Sequence, residues 1–139
     1  MINRQAVVQT MQSGNIITEQ LNGTLTAFGI SIQQFNVLRI LRGRNGKVAN
    51  LESITSDMIH RMSNTSRLVN RLVEKGLCKR VICQQNRRKV DISITDAGLD
   101  LLRQIDPVVE QKEAELTQKL TKKEMSQLVS LLTKMKSNN

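Results

Sequence analysis

Residues 63–98 read SNTSRLVNRLVEKGLCKRVICQQNRRKVDISITDAG, a stretch that predicts a helix, a two-stranded ribbon with an arginine-rich turn, and the start of another helix. The same stretch carries most of the charge. From Arg61 to Lys89 there are nine Lys and Arg residues and one acid, Glu74, so this span supplies +8 of the formal net charge of +9. Residues 96–139 balance seven acids with seven bases. Positive charge concentrated on one helix and hairpin favours a polyanionic partner, above all nucleic acid.

The first part of this stretch has the pattern of an amphipathic helix. Ser63 is a favourable N-cap, and Gly76 suits the residue that follows a helix C-cap. At about 100° per residue one side of the helix is mostly apolar, comprising Thr65, Leu68, Val69, Leu72 and Val73. The other side carries the candidates for contact with DNA, which are Ser63, Asn64, Ser66, Arg67, Asn70 and Arg71.

A short helix from about Leu51, a turn at residues 60–62 and this amphipathic helix together predict a helix-turn-helix. In that motif the second helix meets base edges in the major groove. Arg67 can pair bidentately with guanine, Asn70 or Asn64 with adenine, and Ser66 with a base or a phosphate. The alternative is an ordinary solvated helix face, but further positive charge follows directly downstream.

That downstream charge lies on a predicted hairpin. Val90, Ile92 and Ile94 alternate with polar residues, residues 78–83 supply the partner strand, and residues 84–88 form a polar loop. A charged ribbon beside a recognition helix is the arrangement of a winged helix, whose tip can enter a narrow minor groove. The tip residues are Arg87, Arg88 and Lys89. A solvent-exposed hairpin with solubilising charges is the alternative.

Helical patterns precede this lobe. Residues 2–25 predict a long first helix, interrupted at Gly14 and broken near Gly23. The sequence Ser31-x-x-Gln34 is a capping box that opens a second helix, and residues 42–47 follow as a basic loop. Ile54 and Met58 are expected to direct the short third helix towards the core.

Helical patterns also follow it. Residues 96 to about 119 place apolar side chains seven residues apart, at Leu102, Val109 and Leu116, while Pro107 should kink or split the helix. A second capping box, at residues 121–124, opens a final helix with an apolar side that includes Leu128 and Leu132. These apolar stripes favour a homodimer, and packing within the chain is the alternative.

Composition narrows the class of protein. The 139 residues suit a single domain, with 39% hydrophobic and 24% charged residues. No apolar run reaches the roughly 20 residues of a membrane span, and the start of the chain lacks a signal-peptide pattern, so we expect a cytoplasmic protein without membrane contact. Aromatic residues are limited to Phe28 and Phe35. Because proteins that bind single strands usually stack bases on aromatic side chains, this scarcity favours duplex DNA.

Few residues suit chemistry. The sequence has no Gly-rich phosphate loop, and its single histidine, His60, has no evident nucleophile partner, so we expect neither an enzyme, nor a metal site, nor a cofactor. His60 is better explained as a packing residue. Cys78 and Cys83 are expected to be reduced, with at least Cys83 in the core. Lys79 and Arg80 would favour a thiolate, so thiol sensing stays open beside a structural role.

The hairpin and the residues after it resemble a known family. The stretch NRRKVDISITDAG, residues 86–98, is similar to the wing signature D-x-R-x-x-x-V-x-L-T-x-x-G of the MarR family of bacterial transcription regulators. The matching positions are Arg88, Ile92, Ile94, Thr95 and Gly98. Residues 63–80 resemble the family's recognition helix and its exit, and residues 120–132 resemble its last helix. Asn86 stands where the family usually has Asp, which removes a carboxylate that could orient the wing arginines.

The resemblance spans essentially the whole chain. It implies a mainly α fold with a small β-hairpin, in which residues 1–139 form one domain. Residues 31–95 would be the winged-helix DNA-binding lobe, and residues 1–25 and 96–139 would form the homodimer. The implied function is repression of a palindromic operator, relieved by a small-molecule effector or a redox signal. The alternative is a basic winged-helix module that binds a protein or structured RNA without operator specificity.

Overall fold

Helices dominate the computed structural model of the chain, which describes residues 1–137. Helix α1 spans Ile2–Thr26, α2 Ile32–Gly43, α3 Leu51–Asp57 and α4 Thr65–Glu74. Strands β1 (Cys78–Ile82) and β2 (Val90–Ile94) pair antiparallel, with Cys78 opposite Ile94 and Ile82 opposite Val90. Helices α5 (Asp96–Leu116) and α6 (Lys122–Lys136) follow. The mainly α architecture with one hairpin is therefore confirmed.

Local signals account for most of these boundaries. Ser31 and Thr121 each form a complete capping box, with Gln34 and Glu124 respectively. The hydrogen bonds that Glu124 accepts within this box lower the pKa of its carboxyl group. Gly76, with φ +74°, follows the C-cap of α4, as a residue after a helix C-cap commonly does.

Three expected breaks do not occur. Helix α1 is continuous through Gly14 and Gly23, and α5 is continuous through Pro107. In α5, packing outweighs the local preference of the proline, because Leu102 and Ile105 before it and Val109 after it are all buried. The proline and the two glycines therefore affect local stability without ending a helix.

The core lies where α2 meets the other elements. Val37, Leu38 and Leu41 of α2 are buried against side chains from α4, β2 and α5. Leu102 and Val109, which the sequence suggested for a dimer seam, belong to this core, so that part of the expectation is wrong. Packing on the chain's own helices leaves no surface there for a partner.

The cysteines are also placed differently from the expectation. Cys78, in β1, is the buried one, and Cys83, just after β1, is half-buried outside the core. Both are free thiols, in agreement with the sequence. Burial raises the pKa of Cys78 to about 12, because desolvation disfavours the thiolate. This effect opposes the activation expected from the neighbouring Lys79 and Arg80.

Pairing beyond the hairpin was not predicted. Ala49, just before α3, exchanges two backbone hydrogen bonds with Ile92, at 2.9 and 2.8 Å. The segment before α3 is thereby tied to β2, which fixes the hairpin relative to the helix-turn-helix. None of the helices within residues 1–137 combines the length and apolar character that crossing a membrane requires.

Candidate nucleic-acid interface

Helices α3 and α4 are held together as a helix-turn-helix. The Thr55 hydroxyl donates to the hydroxyl oxygen of Thr65, which is buried, at 2.7 Å. In the turn between the helices, the backbone N–H of Ile59 donates to Asn36 Oδ1 of α2 at 2.8 Å. The side chain of Met58, which precedes the turn, is buried in the core. These contacts fix the position of α4 relative to the rest of the lobe.

Helix α4 begins one residue later than expected. Its N-cap is Asn64 rather than Ser63, and Asn64 Oδ1 accepts the backbone N–H of Arg67 at 3.1 Å. Asn64 was expected to read adenine, but its side-chain oxygen is engaged in this cap. Because the hydrogen bond uses the backbone of Arg67, its guanidinium remains available for other contacts.

The outer face of α4 is polar and accessible. Arg67, Asn70 and Arg71 are exposed, whereas Ser63 and Ser66 are half-buried. Thr65, Val69 and Leu72 are buried on the opposite face, as the pattern predicted. Arg67 and Arg71 line an open hollow with Gln33 and Gln34 of α2. Other residues of this hollow are Ser63, Asn64 and Leu68.

Gln33 and Gln34 are site candidates that the sequence analysis missed. Both lie in the first turn of α2, and both are half-buried. The pattern of α2 was interpreted only through its apolar side, which forms the core. A signal was nevertheless present, since two amides at the start of a helix that precedes a recognition helix can approach a phosphate.

The wing is an ordered turn with three exposed cations. Asn86 Oδ1 accepts the backbone N–H of Arg88 at 3.1 Å, and its backbone oxygen accepts the N–H of Lys89 at 2.9 Å. Arg87, Arg88 and Lys89 are exposed, and none of them forms an ion pair within residues 1–137. Asn86 therefore orders the turn by accepting backbone N–H groups, without the carboxylate found in the signature.

Arg80 connects the wing to α4. Its guanidinium donates to Asn70 Oδ1. The sequence suggested Arg80 as a neighbour of the cysteines and not as a partner of Asn70, since a contact between a strand and a helix leaves no local pattern. A bidentate contact of Asn70 with adenine would need the same oxygen.

The basic loop after α2 is largely neutralised. Arg42 forms a bidentate ion pair with Asp106 of α5, at 2.7 and 3.3 Å, and Arg44 pairs with Asp57 at 2.7 Å. These arginines are therefore structural rather than free for a polyanion. Free positive charge is left on α4 and the wing. Within residues 1–137 no cluster of three or more His, Cys, Asp or Glu side chains could hold a metal ion.

A helix-turn-helix whose second helix and adjoining hairpin carry exposed cations defines a winged helix-turn-helix protein. Comparison with known proteins agrees: the model of the MarR family matches residues 30–90. Over these residues the chain is similar to the MarR family, whose members are transcription regulators and not enzymes. The family resemblance and the winged-helix fold expected from the sequence are thus confirmed.

Individual relatives support this assignment. The chain is 32% identical over 92 residues to an uncharacterized HTH-type transcriptional regulator, YwaE of Bacillus subtilis (strain 168). The match covers 66% of this chain but only 50% of YwaE, so the chain spans about half the length of that relative.

Solved structures match over nearly the whole chain. A MarR-like transcription regulator from Bacillus cereus ATCC 10987 has a TM-score of 0.87 at 23% identity, covering 99% of this chain and 98% of its own. A cysteine-to-serine mutant of MarR from E. coli, complexed with operator DNA, has a TM-score of 0.82 at 25% identity, covering 91% and 90%. The first of these comparisons concerns the fold alone.

Proposed function

We propose that the protein is a homodimeric regulator that binds a palindromic operator in double-stranded DNA and represses transcription. The observation that carries this proposal is the joint exposure of Arg67 and Arg71 on α4 and the three cations of the wing. Helix α4 would enter a major groove and the wing the adjacent minor groove. The operator complex of the E. coli relative supports this choice of partner. Because its target would be the chromosome, the proposed location is the cytoplasm.

Every site residue expected from the sequence keeps a place in this proposal. Arg67 and Asn70 would contact bases, while Ser63, Ser66 and Arg71 would contact a base or the backbone. Asn64 would act chiefly through the helix N-terminus that it caps. The wing would supply phosphate and minor-groove contacts through Arg87, Arg88 and Lys89.

Exposed apolar side chains support the homodimer. Val129 and Leu131 of α6 are 66% and 65% exposed, and Met11 of α1 is 64% exposed. Two helices that expose this many large apolar side chains favour an interface. Other exposed apolar residues of these two helices are Ile2, Val7, Val8, Ile16, Ile17, Leu128 and Met135. Residues 1–25 and 96–139 would then dimerise and residues 31–95 bind DNA; Asn138 and Asn139 lie outside the described residues.

A two-fold dimer presents two copies of α4 related by symmetry, so the operator should be an inverted repeat. The half-sites would lie about 34–36 Å apart, roughly one helical turn, on one side of the duplex. An inverted repeat distinguishes this proposal from a basic module that binds without operator specificity.

We further propose that a small molecule relieves binding and that Cys78 is not a redox sensor. Cys78 is buried with a raised pKa, which disfavours the reactive thiolate. A cleft of about 460 Å³ lies between α1, the end of α5 and α6, with apolar walls and three polar residues, Ser13, Glu113 and Thr117. Its size and lining suit a small amphipathic molecule. Because it lies among the proposed dimer helices, an occupant could change the spacing of the two lobes.

Two measurements test the proposal. Selection from random duplexes should enrich one inverted repeat, and light scattering at micromolar concentration should give the mass of a dimer. Replacing both Val129 and Leu131 with Glu should produce a folded monomer with weakened operator binding, whereas Lys134→Glu on the same helix should stay dimeric. A folded monomeric parent, or a selection that enriches no sequence, contradicts the proposal.

A further inference from the structure

Asn70 and Arg80 form a pair that bears on which base the protein reads. Asn70 lies on the exposed face of α4, one turn after Arg67. Arg80 lies on β1 directly opposite Ile92, which is buried. Cross-strand partners direct their side chains to the same face of a sheet, so the Arg80 side chain projects towards the helices. From there its guanidinium donates to Asn70 Oδ1.

The chemistry of the two groups dictates how the amide is turned. A guanidinium has five N–H donors and no acceptor, whereas an Asn amide has one oxygen acceptor and one NH₂ donor group. Only Oδ1 can therefore face Arg80, since the reversed amide would bring donor against donor. The Nδ2 group of Asn70 is left as the part that faces outward, and it offers hydrogen bonds without accepting any.

We infer that Arg80 is a positioning residue that makes Asn70 a donor-only reader of the operator. This inference rests on the proposed function. Adenine is recognised by an amide that donates to N7 and accepts from the N6 amino group, and the accepting oxygen is held by Arg80. Guanine offers two acceptors, N7 and O6, and thymine offers O4. Asn70 should prefer guanine or thymine over adenine at its position in each half-site.

The remaining donors of Arg80 extend the argument to the backbone. With one N–H used by Asn70, the guanidinium can still bind a phosphate oxygen. Such a contact would couple the position of the DNA backbone to base recognition, since the Arg80 side chain would both bind the phosphate and orient the Asn70 amide. It would also place a positive charge beside the base edge, which favours the acceptor-rich edge of guanine.

The experiment is a selection from random duplexes with the full-length parent and four variants. Arg80→Met removes the donors but keeps an extended side chain, so Asn70 is free to turn. We expect the preference at one position per half-site to move towards adenine, by about tenfold relative to guanine or thymine. Arg80→Lys retains a donor-only head and should keep the parent's preference. Asn70→Asp keeps an acceptor for Arg80, presents a second acceptor outward, and should select cytosine at the same position.

Lys79→Met is the matched control. Lys79 neighbours Arg80 on β1, is exposed and projects to the opposite face of the ribbon. Its loss removes the same charge without touching Asn70, so affinity should fall for all sequences without any change of base preference. The melting temperature of each variant is also measured. A value equal to the parent's shows that a change in binding does not come from loss of structure.

The outcomes distinguish the inference from the proposed function. If the parent selects an operator and Arg80→Met selects the same bases at every position, the inference is wrong and the regulator proposal stands. The inference is also wrong if the parent prefers adenine at the position that Asn70→Asp alters. If the parent selects no sequence at all, the proposed function fails and the inference fails with it.

Discussion

Asp106 of α5 accepts two hydrogen bonds from the guanidinium of Arg42 in α2, at 2.7 and 3.3 Å. The pair joins the winged-helix lobe to a helix of the proposed dimer, across 64 positions of sequence. Both side chains are 34% exposed, so solvent screens the attraction only in part. A bidentate geometry restrains orientation as well as distance.

Asp106→Asn should therefore affect binding more than stability. We expect the free energy of unfolding to fall by about 0.5–1 kcal/mol, the range for partly exposed pairs. Operator affinity should fall several-fold, because the lobe loses a fixed orientation relative to α5. Chemical denaturation and fluorescence anisotropy measure the two effects.

Asp100→Asn is the control for this substitution. Asp100 is on the same helix but pairs with Arg103 only three residues away, and both side chains are largely exposed. Stability and affinity should stay close to those of the parent. Equal affinities of the Asp106 and Asp100 variants would contradict an orienting role for the Arg42 pair.

Gly98 is the position most sensitive to a single added methyl group. A Cβ at this residue would overlap the backbone oxygen of Leu77 and lie 2.6 Å from Ile94 Cγ1. Gly98→Ala should therefore destabilise the fold by roughly 1–3 kcal/mol, the usual cost of overpacking. A Cβ at Gly23 in α1 would lie in open space, so Gly23→Ala should stabilise the fold by about 0.5–1 kcal/mol. Thermal unfolding of both variants tests the contrast, and a Gly98 variant as stable as the parent would refute it.

The same junction shows what the sequence could predict. The Thr95 hydroxyl donates to the Gly76 oxygen at 2.7 Å and accepts the N–H of Gly98 at 3.1 Å, so it joins the end of α4 to the start of α5. The hydrogen bond between Thr95 and Gly98 lies within the T-x-x-G part of the wing signature. This part of the signature is therefore the N-cap of α5, which can be recognised from neighbouring residues alone. Capping boxes and the apolar side of α4 were predictable for the same reason.

Longer-range contacts account for what the sequence could not predict. Ser63 and Asn64 are both good N-caps, so the local pattern does not decide where α4 begins. The hydrogen bond between Thr55 and Thr65, which joins α3 to the first residue of α4, is not part of that pattern. The ion pair of Arg42 neutralises charge that looked free in the sequence. Helix α5 continues through Pro107 because of buried contacts on both sides. Each outcome depends on a partner outside the local pattern.

Cys78 should resist alkylation in the folded protein. Its pKa is raised to about 12 by burial, so at pH 8 only on the order of one thiol in ten thousand is ionised. Cys83 is half-buried and more accessible, and we expect iodoacetamide to modify it first. Peptide mass spectrometry can follow both sites, with the urea-unfolded chain as the control in which they react alike. Equal rates in the folded protein would show that Cys78 is not protected.

The wing should contribute affinity that depends on salt. Replacing both Arg87 and Arg88 with Met should lower the slope of log affinity against log salt by about 1.8, because each phosphate that an arginine neutralises contributes ~0.9 to the slope. Binding should weaken for all duplex sequences alike. Titrations at several salt concentrations measure the slope.

The control removes equal charge from a distant helix. Lys122 and Lys123 lie in the first turn of α6, where positive charge opposes the helix dipole, so replacing both with Met should not harm folding. The salt slope should match the parent's. If the wing variant also matched the parent, the wing would not contact phosphates.

Arg67 should determine base preference without affecting the fold. Its backbone N–H forms the cap with Asn64, while its exposed side chain forms no ion pair within residues 1–137. Arg67→Ala therefore keeps the cap and a good helix former, and stability should be unchanged. At one position in each half-site it should lose ~1–3 kcal/mol of discrimination, the value of a bidentate contact with guanine.

Selection from random duplexes compares the parent with Arg67→Ala and with Arg103→Ala, which truncates another exposed arginine, on α5. The parent and the Arg103 variant should enrich one inverted repeat with half-sites ~10 bp apart. Arg67→Ala should enrich the same repeat with one degenerate position in each half-site, and its binding to unrelated duplexes should persist. An unchanged consensus in that variant would exclude Arg67 from base reading and would place its contact on the phosphate backbone instead.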